Sequence, residues 1–187
     1  MIFHDLKAIF VHVERTGGVA VRKHLLQHEG NFERWPGTKH FTAEKTKELI
    51  DNPEVWENYF KFAIVRNPYD RLVSWYCACR QHPEWNSPIA KYFQSLDCFD
   101  DIFKRTHTQI LIPQYDIVKG VNFIGRFENY NESMEHINRI LGINENLYVK
   151  FENSANHKPH RCYYNSFTRA TLKKWLKKDF DYFGYEY

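Results

Sequence analysis

Residues Phe60 to Tyr76 read FKFAIVRNPYDRLVSWY, and this stretch decides the fold. Its first six residues form a short aromatic and β-branched run closed by a turn, which predicts a buried strand over Phe60 to Val65. Arg66-Asn67-Pro68 is the turn. From Tyr69 onward the period changes: Leu72, Trp75, Tyr76 and Cys79 recur at three- and four-residue spacing, the pattern of one helix face. Pro68 suits the first helical turn, where a backbone N–H has no intrahelical acceptor.

The same strand, loop and helix order stands nearer the N-terminus. Lys7 to Val13 (KAIFVHV) predicts a strand, Glu14-Arg15-Thr16-Gly17-Gly18 a tight loop, and Val19 to Gln27 a helix. Between the two units, Thr42 to Asp51 predicts a helix with Glu44 in its first turn, ending before the Asn52-Pro53 break. Strand, helix, helix, strand order implies an α/β architecture on a small parallel sheet.

Toward the C-terminus, His82 to Pro88 predicts a connector and Phe99 to Arg105 a short helix. Val121 to Gly125 predicts a third core strand, and Asn131 can cap a helix that turns Met134, Ile137, Ile140 and Leu141 inward. Residues 144 to 165 are polar and loop-like. A basic helix is predicted from about Thr168 to Lys178, ahead of an aromatic tail, Phe180 to Tyr187.

Composition narrows the function classes. At 187 residues, 43% hydrophobic and 17% aromatic, the chain is predicted to be one packed domain, residues 1–187. A formal charge of +3 is too balanced to suggest a nucleic-acid partner, though it allows one local anion site. Neither a run long enough for a membrane span nor a leader pattern is visible, so a cytoplasmic protein is expected. Cys77, Cys79, Cys98 and Cys162 form no CxxC pair and have no His at zinc-finger spacing; reduced thiols and no metal cofactor are expected.

The chemistry sits at the two strand-to-helix junctions. Gly17 and Gly18 let backbone amides approach an anion, the following helix start adds partial positive charge, and Arg15 adds a full one. By itself RTGG also describes an ordinary turn. The loop lacks the lysine and hydroxyl of a Walker A motif, which disfavours a magnesium-dependent nucleotide kinase. The second junction supplies the Arg66 guanidinium and, in the helix, the Ser74 hydroxyl. Ligands of open α/β sheets lie beyond the carboxyl ends of the strands, so the two junctions can address one ligand with two separated phosphate groups.

These residues resemble the carbohydrate-type, family 2-like sulfotransferases. HVERTGGVAVRKHL (His12 to Leu25) is similar to that family's 5'-phosphosulfate loop, FAIVRNPYDRLVSWY (Phe62 to Tyr76) to its 3'-phosphate motif, and Gln114, FIGRFENY (Phe123 to Tyr130) and the ending KKDFDYFGYEY are also similar. The resemblance covers nearly the whole chain. It implies a P-loop-NTPase-like three-layer α/β fold and transfer of a sulfuryl group from 3'-phosphoadenosine 5'-phosphosulfate (PAPS) to an acceptor hydroxyl, leaving adenosine 3',5'-bisphosphate, without a metal. It places Arg15, Thr16, Gly17, Gly18 and Val19 around the 5'-phosphosulfate and Arg66 with Ser74 at the 3'-phosphate. The polar segment Asn153 to Tyr164, with His157, Lys158 and Arg161, is similar to the family's late cofactor loop, where basic groups close over the nucleotide; an ordinary solvated loop is the alternative.

Three positions depart from the pattern: Glu14 stands where the family commonly has Pro, Arg15 where it has Lys, and Val19 where it has Thr. Arg15 can stabilise charge on the leaving phosphate but is permanently protonated and a poorer proton donor. Val19 removes a hydroxyl contact worth about 1 kcal/mol. A PAPS-binding protein without transferase activity, acting as a sensor or partner module, therefore stays open beside the enzyme.

His40 is the candidate base. It lies in Lys39-His40-Phe41-Thr42-Ala43, similar to the family's KH-T-A segment, and imidazole titrates near neutral pH; a hydrogen bond to the helix start is its structural alternative. His12 is disfavoured as the base, because strand alternation puts it beside Phe10. Arg126 with Glu128 and Asp70 with Arg71 read as structural groups, the aromatic tail as core packing, and Lys173, Lys174, Lys177 and Lys178 as a solvated face. A small-molecule or carbohydrate acceptor is expected to meet the connectors Glu29 to Lys39 and His82 to Lys91. Those connectors carry no code for its identity, and the sequence leaves the oligomeric state open.

Overall fold

A computed structural model describes residues 1–34, 40–105, 111–144 and 155–187. Lys39 and Asn153, named above, lie outside the described residues. The chain divides into two compact units, each assembled from two stretches: Met1–Arg66 with Gln114–Glu152, and Asn67–Pro113 with Asn153–Tyr187.

The first unit holds the sheet. Its strands are β1 (Ile2–Phe3), β2 (Ala8–Phe10), β3 (Phe32–Glu33), β4 (Phe60–Val65) and β5 (Phe123–Arg126), in the spatial order β3-β1-β2-β4-β5. β2, β4 and β5 run parallel, while β1 is antiparallel to both of its neighbours, so it alone opposes the other four. The small parallel sheet expected from sequence is present as β2, β4 and β5, and antiparallel β1 makes the five-stranded sheet mostly rather than entirely parallel. β1 and β3, two residues each, are too short to show a period; β1 and β2 are joined by a hairpin turn in which Lys7 takes φ 48° and donates its N–H to the His4 carbonyl at 3.2 Å.

β4 is buried on both faces, as a central parallel strand must be. Phe62 and Ile64 face a core shared with Phe3, Phe10, Val21, Leu25, Met134 and Ile137. The Phe10 and Phe62 rings stack at 5.1 Å, a consequence of the parallel register Phe10↔Phe62. Lys61, on the opposite face, is buried; its Nζ donates to the Trp56 carbonyl at 2.7 Å and lies 5.6 Å from the Trp56 ring. Burial lowers the Lys61 pKa, and the Glu57 carboxylate offsets part of that shift.

The helices of this unit are α1 (Gly18–Leu25), α2 (Ala43–Leu49), α3 (Pro53–Asn58), α7 (Gln114–Val118) and α8 (Tyr130–Leu141). Thr42 caps α2 by accepting the Lys45 N–H, and Asn52 caps α3 with Pro53 at its start, so the Asn52-Pro53 break opens a further helix. The third core strand starts two residues later and ends one residue later than predicted, and α8 begins at Tyr130 after Asn129 rather than at an Asn131 cap. Met134 and Ile137 are fully buried, but Ile140 is 47% exposed: the inward stripe passes through Tyr130, Met134 and Ile137, and Ile140 lies off it.

The second unit is helical. It comprises α4 (Pro68–Gln81), α5 (Pro88–Gln94), α6 (Asp101–Arg105), a 3-10 turn His160–Cys162, α9 (Ser166–Trp175) and α10 (Lys177–Phe183). α4 is buried from Arg71 through Cys79, beyond the single face that periodicity suggested. The basic helix expected from Thr168 to Lys178 is two helices. Leu176, fully buried with φ −106° and ψ 33°, ends α9 and begins α10, and the bend lets Phe180 and Phe183 reach the interior while Lys173, Lys174, Lys177 and Lys178 stay exposed.

Candidate functional site

The first junction is a loop shaped by its own residues. Beyond β2 the chain continues through buried Val11, His12 and Val13 into Glu14. Arg15 takes φ 65° and Gly17 φ 76°, two left-handed residues on either side of Thr16, and left-handed residues are a component of the backbone nests that bind anions. For Arg15, a non-glycine residue, that conformation costs roughly 1–2 kcal/mol. Thr16 is fully buried and its hydroxyl donates to the Val13 carbonyl at 2.8 Å, so its side chain closes the turn.

Gly17 caps α1: its carbonyl accepts from the Ala20 N–H at 3.0 Å and from the Tyr130 hydroxyl of α8 at 3.1 Å. Burial pushes the Tyr130 phenol far above its ordinary range, keeping it a donor. Gly18 is required by contact. A Cβ there would stand 2.0 Å from the His12 Nε2, so the imidazole occupies the space that glycine leaves. Val19, half-buried, occupies the first turn of α1. The opening amides of a helix have no intrahelical acceptor, so the α1 start presents donors and partial positive charge.

The second junction is built around one side chain. Arg66 follows β4 and is 8% exposed. The Gln114 side chain, wholly buried at the start of α7, grips its backbone: Oε1 accepts the Arg66 N–H at 2.9 Å, and Nε2 donates to the Arg66 carbonyl at 2.8 Å. The Arg66 guanidinium lies 4.2 Å from the Phe127 ring centre and donates from Nη1 to the Arg15 carbonyl at 3.0 Å. Register explains the stacking, since Val65 pairs with Arg126 across β4 and β5 and the next residues on both strands are Arg66 and Phe127. The cation of the second motif and the loop of the first are therefore in contact at the carboxyl ends of adjacent parallel strands.

His40 joins the same loop. Its Nδ1 is 3.2 Å from the His12 carbonyl oxygen, its Nε2 is 3.6 Å from Glu14 Oε1, and its ring centre lies 4.6 Å from that of His12. His12 in turn stacks on Phe10 at 5.3 Å, the placement alternation predicted.

The other candidates belong to the helical unit. Ser74 is 2% exposed on α4. Lys158 is exposed, and Arg161 donates from Nη2 to the Tyr187 carbonyl at 2.6 Å. Asp70 faces His160 at 3.7 Å, and buried Arg71 donates to the Ile112 carbonyl at 3.2 Å. Phe180, Phe183 and Tyr185 are buried, in keeping with a packing role.

Sequence reasoning assigned no role to Phe127, Tyr130 or Gln114, although FIGRFENY and Gln114 were singled out. Their proximity to the loop and to Arg66 depends on how β5, α8 and α7 dock, which no local pattern encodes.

The α/β sheet thus brings together a left-handed loop at a helix start, the Arg66 side chain bonded to that loop, and His40 beside it. The chain belongs to the sulfotransferase family, whose model matches residues 1–186 and so spans both units. Membership supports sulfotransfer as the general activity of the chain. No curated protein matches the chain. Among the described residues, no helix is long and apolar enough to cross a membrane, and no group of three or more His, Cys, Asp or Glu is arranged to hold a metal ion.

Proposed function

We propose that the protein is a PAPS-dependent O-sulfotransferase acting on a carbohydrate hydroxyl, with a P-loop-like three-layer fold. The observation that carries this reading is the 3.0 Å bond from Arg66 to the Arg15 carbonyl, because it joins the two anion-binding motifs at one edge of the sheet. The donor set fits an anionic nucleotide: left-handed loop amides, a helix start and a stacked guanidinium all offer N–H groups and positive charge.

In this reading Arg15, Thr16, Gly17, Gly18 and Val19 surround the 5'-phosphosulfate, Arg66 and Ser74 take the 3'-phosphate, and Lys158 and Arg161 serve the late cofactor loop. PAPS, when bound, supplies the activated sulfuryl group. Thr16 and Tyr130 hold the loop in shape, so that its amides need not reorganise as charge develops. Arg15 holds a permanent positive charge beside that loop. His40 removes the proton of the acceptor hydroxyl. Its Nδ1 faces a carbonyl, which can only accept, so the hydrogen bond places a proton on Nδ1 and leaves the Nε2 lone pair for the acceptor.

The test is calorimetric titration of adenosine 3',5'-bisphosphate without metal, against 5'-AMP. The bisphosphate should bind micromolar and AMP far more weakly; equal binding would remove the assignment. Arg66→Ala should weaken bisphosphate binding by about 10- to 100-fold, the loss of a charge-assisted contact. Parental affinity in both Arg66→Ala and Ser74→Ala would show that the 3'-phosphate lies elsewhere. His40→Ala should keep the affinity while turnover falls by at least about 100-fold.

A second reading, a PAPS-binding protein without transferase activity, is favoured by Val19, whose methyls stand in the first turn of α1 where the family pattern has a hydroxyl. Activity gained only in Arg15→Lys with Val19→Thr would establish it; activity in the parent would remove it.

A further inference from the structure

We infer that Glu14 holds His40 toward its protonated form and so sets the pH at which the proposed base becomes available. This rests on the reading of His40 as the base and extends it to a position where the resemblance leads one to expect proline, a residue that cannot carry charge. Glu14 is a positioning residue in this scheme, acting on substrate only through His40.

The geometry fixes both ring nitrogens. With Nδ1–H donated to the His12 carbonyl at 3.2 Å, the proton that comes and goes is the one on Nε2. Glu14 Oε1 stands 3.6 Å from that atom. A carboxylate oxygen at this distance opposes the Nε2 lone pair of the neutral ring and attracts the N–H of the imidazolium, so it favours the charged form. The separation is that of an ion pair rather than a formed hydrogen bond, and an approaching hydroxyl is not excluded by a tight Nε2–carboxylate bond.

Other charges bear on the ring. The His12 imidazole, 4.6 Å away, opposes a charge on His40 to the extent that it is itself protonated, and Arg15, next to Glu14 in the loop, acts in the same sense. On the His40 side, Glu44 and Lys45 follow in the first turn of α2. All four remain when Glu14 alone is changed, so a difference between parent and variant reports Glu14. The His40 and Glu14 side chains are 25% and 30% exposed, so solvent screens the pair and the expected shift is moderate, about half to one pH unit.

The experiment is an NMR titration of histidine-labelled, cofactor-free protein in full-length form, with the His40 signal among ten His assigned by its loss in His40→Asn. In Glu14→Gln the His40 midpoint should fall by about half a unit or more, while Glu14→Asp, which keeps the charge, should retain most of the elevation. Superimposable parent and Glu14→Gln curves would overturn the proposal, as would an equal fall in Gln and Asp variants, which would trace the effect to packing. If His40 is the base, the acid limb of kcat/KM moves to lower pH in Glu14→Gln by the same amount. Unchanged turnover in His40→Ala would remove His40 as the base yet leave the titration difference standing, so the two readings fail separately.

Discussion

The two strand-to-helix junctions are shaped by opposite means. At Glu14–Gly18 the backbone does the work: left-handed Arg15 and Gly17, a glycine packed against an imidazole, and a carbonyl fixed by a distant tyrosine shape a loop that presents amides. At Arg66 a side chain does it, with the backbone pinned by Gln114 and the guanidinium held against Phe127. Beyond it Asn67 caps α4 by accepting the Tyr69 N–H, with Pro68 at the helix start. The first junction therefore depends on which residues are absent, namely Cβ atoms, and the second on which are present.

The sharpest way to break this contrast is Gly18→Ala. Its Cβ would overlap the His12 ring, so the variant should lose about 1–3 kcal/mol of stability, read from the urea midpoint, together with bisphosphate affinity. Adding His12→Ala should restore part of both; no rescue would mean that the clash is not what the glycine avoids. Gln114→Ala tests the other junction. It leaves the Arg66 N–H and C=O without their Gln114 partner, and a loss of about 2 kcal/mol is expected, with bisphosphate affinity falling because the backbone that carries the guanidinium is no longer held. Parental affinity would show that Phe127 and the Arg15 carbonyl suffice.

Tyr130→Phe should have a smaller effect, about 1 kcal/mol from the lost bond to Gly17, and should weaken bisphosphate binding more than it weakens folding if the tyrosine serves the loop. The smallest effect concerns pH. Burial raises the pKa of Tyr130 and Tyr164 above 10.0, so the unfolded chain gives up these protons first; stability is intact below pH 10 and should decline as pH rises beyond it. Thermal melts at pH 9 and 10.5 check this, and Tyr130→Phe should flatten the decline.

Much of this was legible locally. FKFAIV and KAIFVHV announced strands, RTGG and RNP announced the turns, and the helix after Pro68 followed from spacing, because strand alternation, helix period and turn chemistry all act within a few residues. Burial could mislead where neighbours decided it. Ile140 matches a helical stripe yet lies exposed, and no glycine or proline marks the break at Leu176, which the interior positions of Phe180 and Phe183 require. The Ile2–Phe3 strand was too short to show a period and exists because β2 and β3 pair with it on either side.

The site divides along the same line. By itself the sequence determined the residue types and their order, a glycine loop with Arg15, then Arg66 with Ser74, and with them the likeness to a sulfotransferase. Only the tertiary structure decided that Arg66 bonds the Arg15 carbonyl, that Gln114, 48 residues away, grips the Arg66 backbone, that Tyr130 reaches Gly17 across 113 residues, and that His40 meets Glu14. The reason is range: propensity and periodicity report on residues within a turn or two of each other. Which distant groups meet is set by strand register and the packing of helices on the sheet, where the hydrophobic core, not the local chain, chooses the partners.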